Sequence, residues 1–303
     1  MDKIDIILSL LLMQNSRQTY RELAKICQLS VNAVHKRIQA LIDTGIIRAF
    51  VTKISLYALN IIWVLVFGDS EKGSQDEVRE KLGNHENIHW VVNGGGKSLY
   101  IGLYLRDISE LDSCISFIKE VAKIENQRIG IINYTGNNPP SNLKFSQLDY
   151  EILYSLRNNS RKSIMDVASE LGIAAKTVRR HLENMVENKM VEFSIEWYPD
   201  AANDINSIFH VELDQSTNKE EMVSNLLQKY FPNVMYCWAF STLPNLLLVG
   251  VWTPTIAEVE KMRENVQKMG VKSVLPNVLY HGKLYNTWRD KLLEEKANPS
   301  RHV

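Results

Sequence analysis

Along the first fifty residues apolar positions recur every three or four, the period of a helix with one buried face, over 3–14, 19–26 and 30–43. The second and third of these are separated by "CQLS" (27–30), a tight turn whose serine can cap the helix that follows. Two short helices joined in this way make a helix-turn-helix. The period then changes: "TGIIRAFVTKIS" (44–55) alternates apolar and polar, as a two-stranded wing does. Further on, "LNIIWVLVF" (59–67) reads as a buried strand and 74–86 as a helix with Val78 and Leu82 inward. "IHWVV" and "LYIGLYL" alternate on either side of "NGGGKS" (93–98), a hairpin; 108–124 is a second helix and 127–134 a last strand. The order βαββαβ is the ferredoxin-like split unit.

The whole pattern then occurs again. A shift of 144 positions sets Asp5 on Asp149, Leu12 on Leu156, Asn15-Ser16-Arg17 on Asn159-Ser160-Arg161, Ala24 on Ala168 and Val34 on Val178 without a gap. "LGIA" (171–174) makes the second turn, with Gly172 where a left-handed backbone is wanted, and "NKMVEFSIEWYP" (188–199) is the second wing. A period this long is a duplicated domain, not a solenoid. The fold class expected is therefore α+β, two winged helix-turn-helix domains alternating with two ferredoxin-like βαββαβ domains. The boundaries expected are 1–55 and 145–199 for the winged helices, 56–134 and 200–282 for the ferredoxin-like domains, 135–144 for a linker containing "TGNNPPSN", and 283–303 for a C-terminal helix and tail. "YHGKLYNTWRDKLLEEK" (280–296) has no counterpart in the first copy and reads as helix, with Leu284, Trp288 and Leu292 on the second domain or at a contact between chains.

Composition narrows the function. The 303 residues carry 35 Lys+Arg and 35 Asp+Glu, so any contact with nucleic acid must be made by a local patch rather than by a generally basic chain. Cys27, Cys114 and Cys237 stand far apart without CxxC or Cys/His pairing, which argues against a metal site and for a reducing compartment. "IDIILSLLLM" (4–13) is too short and too acidic in its flank for a signal peptide, and its partner "LDYEILYSLR" (148–157) is plainly helical; a cytoplasmic protein without membrane attachment is expected. "GGGKS" (94–98) lacks the fuller phosphate-loop spacing and sits between strands, and His85, His89, His210 and His281 show no ligand spacing. No cofactor, metal or catalytic residue is expected.

The third helix of each copy must present its N-terminal half to a major groove, with cations near phosphates. In copy one that half holds Ser30, Asn32, His35, Lys36 and Arg37; in copy two Lys176, Thr177, Arg179, Arg180 and His181. One amphipathic helix with two cations is ordinarily a solvated surface helix. Two copies with the turn, the wing and basic residues at matching positions point instead to double-stranded DNA. The copies differ in charge: residues 1–50 hold seven Lys/Arg against four Asp/Glu, 145–198 seven against eight, with Glu192 and Glu196 in the second wing. An acidic wing beside phosphates predicts the weaker head.

"NSRQTYRELAKICQLSVNAVHKRIQALIDTGIIRAF" (15–50), followed by a βαββαβ domain, resembles the leucine-responsive regulator (Lrp/AsnC) family of prokaryotic transcription factors. The matching positions are Asn15 and Arg17, Leu23 and Ala24, Leu29 and Ser30, Arg37 and Ile38, Gly45 and Ile47; Arg17 joins the DNA-binding set on this ground. Copy two keeps Asn159, Arg161, Ala168 and Val178 but has Lys189 at the glycine. The resemblance covers nearly the whole chain, twice. It implies ferredoxin-like domains that pair through their sheets, a homo-oligomer, and a small effector near that interface, here beside Gly95, Ser98, Thr242 and Asn245. The family's aspartate three residues after the hairpin glycine is replaced by Ser98, so amino-acid sensing is not implied. Paired proteins of the same architecture act as decarboxylases in heme biosynthesis, relying on His, Tyr and Arg around the first strand after the wing. "YALNIIWVLVF" and "YPDAANDINSIFHVEL" hold no comparable cluster, and a scaffold without DNA binding is the third reading. The duplication itself predicts that one chain acts as a covalent pseudo-dimer preferring an asymmetric site.

Overall fold

The computed structural model describes residues 1–72, 75–132 and 144–298. The helices of the first repeat are α1 (Lys3–Gln14), α2 (Tyr20–Cys27) and α3 (Val31–Asp43), followed by β1 (Ile47–Ile54), β2 (Ile62–Ser70), α4 (Gln75–Leu82), β3 (Ile88–Gly94), β4 (Ser98–Leu105), α5 (Leu111–Ala122) and β5 (Ile124–Ile131). The second repeat runs α6 (Gln147–Leu156), α7 (Ile164–Leu171), α8 (Ala175–Glu187), β6 (Val191–Trp197), β7 (Ile205–Glu212), α9 (Lys219–Tyr230), β8 (Val234–Ala239), β9 (Leu246–Thr253), α10 (Ile256–Gln267), β10 (Ser273–Leu284) and α11 (Trp288–Ala297). The chain divides into two compact units, one of winged helices (7–61, 135–197, 286–303) and one of ferredoxin-like domains (1–6, 62–134, 198–285). The expected linker "TGNNPPSN" lies outside the described residues.

In the winged-helix unit the local signals act as the sequence implies. Thr19 and Glu22 form a capping box on α2, and the Ser30 hydroxyl accepts from the Ala33 amide at 3.1 Å to cap α3. Gln28 takes the left-handed conformation that Gly172 takes in the second turn, and Lys189 (φ 54) takes the one that Gly45 (φ 74) takes before the strand. Ile152, Leu153, Val167, Val178, Leu182 and Met185 form the buried core of the second head.

The wings differ from expectation. Each repeat supplies a single strand, and β1 pairs antiparallel with β6 across the repeats, from Ile54↔Val191 to Ala49↔Glu196. The chain after each strand cannot turn back: Leu56–Asn60 is a run of turns ending in positive φ at Asn60, and Pro199 opens a short 3-10 turn after β6. The partner each wing strand needs comes from the other repeat.

The C-terminal reading also changes. Residues 280–284 are strand, not helix, because β10 runs on past β7 to pair with β3 through Lys283↔Val91 and Leu284↔Trp90. α11 starts only at Trp288, behind a Thr287/Asp290 capping box, and Leu293 joins the core of the second winged helix rather than the second ferredoxin-like domain.

The other unit is one eight-stranded antiparallel sheet in the order β5-β2-β4-β3-β10-β7-β9-β8. Each half carries the ferredoxin-like order, with β3 and β10 joining them, and an antiparallel bridge between Ile132 and Phe240 ties the outer strands β5 and β8. The outward apolar faces pack under helices: Val64, Val66, Val91 and Ile101 with α4 and α5 residues, Phe209, Val211 and Val249 with α9 and α10 residues. The inward faces make a third core from both repeats, including Leu65, Phe67, Trp90, Tyr100, Ile208, Phe240 and Leu248. Alternation along each strand thus buries both faces.

Candidate nucleic-acid interface

On α3, Val34, Ile38 and Leu41 are buried, which turns Asn32, His35 and Lys36 to the solvent side with Arg37 half-buried. His35 packs edge-on against Tyr20, ring centroids 5.2 Å apart. On α8, Val178, Leu182 and Met185 are buried and Lys176, Arg179 and Arg180 exposed, with Thr177 half-buried. The exposed triplets fall on equivalent positions: Asn32 with Lys176, His35 with Arg179, Lys36 with Arg180. The second helix therefore exposes three cations where the first exposes one and an imidazole. His181 is set differently, its Nδ1 2.7 Å from Oδ1 of the buried Asp149, whose other oxygen accepts from the Ser146 amide in the α6 cap. That contact ties α8 to α6 and orients the imidazole away from a purely solvent role.

Arg17 lies elsewhere. Its guanidinium donates to the carbonyls of Ser160 and Lys162 in the other repeat and sits over the Phe193 ring, 5.4 Å from the centroid. Arg161 answers it, Nε donating to the Ser16 carbonyl at 2.8 Å and Nη2 to that of Gln18 at 2.9 Å, between the rings of Tyr20 and Phe50. The Ser16 and Ser160 hydroxyls share a 2.6 Å hydrogen bond at the centre. Burial, reinforced by the other arginine's charge, pulls the Arg17 guanidinium below its usual range. Arg17 is thus half of a lock between the repeats, and it drops out of the set facing outward. Its equivalence to Arg161 was the available signal, since a residue kept in both copies suits a contact across their pseudo-twofold axis.

Acidity in the second wing also has an internal purpose. Glu192 is ion-paired with buried Arg289 of α11 and accepts from the Leu56 amide at 2.8 Å, while Arg289 donates to the Ile54 carbonyl and Lys53 pairs with Asp290. On sequence alone Glu192 weighs against the second head, because α11, which neutralises it, lies 97 positions away.

The four effector candidates divide between the two joints of the sheet. The Gly95 amide donates to Asn277 Oδ1 at 2.6 Å, and Ser98 Oγ donates to Asp69 at 2.8 Å. Thr242 Oγ1 donates to the Ile129 carbonyl at 2.8 Å and accepts from the Ile131 amide at 3.0 Å. Thr242 and Asn245 line a cleft of about 240 Å³ with Arg128 of the first repeat and Glu212, Leu213, Leu243, Pro244 and Lys272 of the second. Glu212 and Lys272 already form an ion pair at 3.5 Å within the second repeat, and the pairing of the repeats brings Arg128 to them. Among the described residues no His/Cys/Asp/Glu group has the makings of a metal site, and no helix is long and apolar enough to cross a membrane.

Two fused winged helices, each exposing a cation-bearing recognition helix, define a DNA-binding transcriptional regulator, and the comparisons with known proteins agree. A family model described as winged helix-turn-helix DNA-binding matches residues 1–48 and again 145–192. The chain is similar to an HTH-type transcriptional regulator of Pyrococcus horikoshii, PH0061, 31% identical over 137 residues that make up 44% of this chain and 93% of that protein. It is also similar to the HTH-type transcriptional regulator LrpA of Pyrococcus abyssi, 30% identical over 126 residues, 41% of this chain and 88% of the other. The chain belongs to the leucine-responsive regulator (Lrp/AsnC) family, in tandemly duplicated form. Its fold as a whole is similar to that of the siroheme decarboxylase NirDL, with a TM-score of 0.61 at 12% identity over 98% of this chain and 100% of that one.

Proposed function

We propose that one chain works as a covalent pseudo-dimer, with α3 and α8 as two unlike reading heads for an asymmetric DNA site. The observation that carries this is the pair of exposed triplets, Asn32/His35/Lys36 and Lys176/Arg179/Arg180, on helices whose domains share the β1–β6 ladder and the Arg17/Arg161 lock. Heads held by one fixed contact set a fixed half-site spacing, and unlike heads favour unlike half-sites. With Glu192 paired to Arg289, the second recognition helix, which exposes three cations to the first's one, should make more of the phosphate contacts. The test is DNA binding across a salt series. Changing Arg179 and Arg180 together to Ala should lower the log–log salt slope by about 0.9 for each lost contact, and Lys36→Ala by about one such step. Unchanged affinity and slope in all three positions would place the DNA face elsewhere.

The cleft beside Thr242 and Asn245 is the effector site we favour. Arg128 and Lys272 suit a carboxylate and Glu212 an ammonium group, between the apolar walls of Leu213, Leu243 and Pro244. Glu212 thus offers, from another strand, the carboxylate that the hairpins lack. Two or more chains would assemble as a homo-oligomer around this unit.

A second reading, a decarboxylase acting on a tetrapyrrole, draws on the whole-chain likeness to NirDL and on Tyr100, His210 and Arg128 meeting in the sheet interior. It fits less well. A cleft of about 240 Å³ is small for a macrocycle, against the roughly 300–1,000 Å³ usual for larger ligands. Titration with a siroheme-type tetrapyrrole decides it, since bound macrocycle shifts its visible absorbance and an unbound one does not.

A further inference from the structure

At the two joints of the eight-stranded sheet, equivalent positions carry opposite sizes. Leu65 pairs with Gly102 on one side and Gly130 on the other, as Ile208 pairs with Gly250 and Asn277, so Gly130 and Asn277 are equivalent. Ile132 bridges Phe240 where Leu279 pairs with Gly94, so Gly94 and Phe240 are equivalent too. Each joint brings the first kind of position in one repeat against the second kind in the other. At the β5–β8 joint the fully buried Phe240 ring lies over Gly130, and a Cβ on that glycine would stand 2.3 Å from the ring. At the β3–β10 joint the roles are reversed: Asn277 reaches over Gly94, where a Cβ would stand 2.7 Å from Oδ1, and accepts from the Gly95 amide.

Between the joints the polarity is crossed in the same way. Tyr100 of the first repeat shares a 2.7 Å hydrogen bond with His210 Nε2 of the second. The equivalent pair is Leu248 with Phe67, both apolar and both in the same interior core. Within each repeat, by contrast, the repeats agree: Trp90 lies over Gly102 as Tyr236 lies over Gly250.

We infer that the two repeats are built to pair with each other and not each with its own like. Two first repeats would set Gly94 against Gly130 at both joints, leaving a gap where Phe240 now packs, and would bury the Tyr100 hydroxyl against Phe67. Two second repeats would set Phe240 against Asn277, with no room for either, and would leave His210 facing Leu248. A first repeat therefore pairs with a second repeat, and a like repeat cannot replace either half without one of these faults. This selectivity belongs to the sheet and holds whether or not the winged helices engage DNA.

Urea unfolding of the full chain tests it by two cycles. Gly130→Asn puts the second repeat's residue into the first, and Phe240→Gly does the converse. Each alone should shift the unfolding equilibrium toward the unfolded state. The double variant, which restores an Asn-over-Gly joint, should be more stable than the product of the two losses by about tenfold or more in the unfolding constant. Gly130→Ala with Phe240→Leu repeats the cycle in milder form should Gly130→Asn not fold. Tyr100→Leu with His210→Phe forms the second cycle, because each single change breaks the Tyr100–His210 hydrogen bond and the double recreates the Leu–Phe pair. Losses that multiply independently in both cycles would show that these positions do not read one another, and would overturn the inference.

Discussion

The repeats hold each other in two places, and they do so by opposite rules. In the winged-helix unit the contact is nearly symmetric: Ser16 meets Ser160, and Arg17 and Arg161 each cap carbonyls of the other repeat. In the sheet the contact is complementary, glycine against bulk and tyrosine against histidine. A symmetric contact constrains both copies to the same residue, so neither side can drift alone. A complementary contact lets the copies diverge as long as each change on one side is matched on the other. The recognition helices show the third case, since their triplets are exposed to solvent and differ at every position.

The first way to break this comparison is at the symmetric lock. Removing Arg17 or Arg161 leaves two part-buried carbonyls of the opposite repeat without their donors, against about 1–3 kcal/mol for one fully buried unsatisfied group. Arg161→Ala should therefore destabilise the chain by about 3 kcal/mol, with Arg17→Ala similar, measured by urea unfolding. The salt slope of DNA binding should stay unchanged in conditions where the variants remain folded. A reduced slope with unchanged stability would return Arg17 to the DNA face.

A smaller effect separates the polar crossing of the sheet from its apolar twin. Burial, with the Arg128 charge adding to it, pulls the His210 imidazole down to about 4, against the opposing pull of Asp69 and Glu212. The folded protein thus resists protonation that the unfolded chain accepts near its usual value of about 6.5. Above that pH neither state is charged and His210 contributes nothing to pH dependence. As pH falls from about 6.5 toward about 4 the unfolded state binds the extra proton, so stability drops, by about 2 kcal/mol at pH 5. His210→Phe, which copies Phe67, should remove that part of the acid sensitivity. Melting temperatures of both proteins at pH 7 and pH 5 give the comparison, and an equal fall in each would assign the sensitivity to other groups.

Much of this architecture is legible in the sequence because it rests on local signals. The caps at Thr19 and Ser30, the left-handed turn at Gly172 and the period-two runs of the sheet are each decided within a few residues. What was misread depends on the other repeat. The wings at 44–55 and 188–199 look like hairpins from within and become single strands only because each finds its partner across the repeats. "YHGKL" carries enough apolar residues to read as helix, but β3 offers an open edge that extends β10 to Leu284. Glu192 looks like a liability near phosphates until Arg289 is placed beside it, and Arg128 reaches the Glu212–Lys272 pair only in the paired sheet. Of the DNA-facing candidates, the exposed ones were legible from helical period alone, whereas Arg17 and His181 went to internal contacts with residues far along the chain.

The central claim, that one chain presents two different reading heads in fixed order, is tested most directly by binding to three DNA duplexes at one salt concentration. Each duplex carries the half-sites recovered by selecting random-sequence DNA with the full chain: first–second, first–first, or second–second, at the same spacing. A chain acting as a pseudo-dimer should bind the mixed site most tightly, each mismatched half-site costing on the order of 10-fold or more, with one chain per duplex by mass. Tightest binding to a perfect palindrome, by two chains that each use the same winged helix, would contradict it.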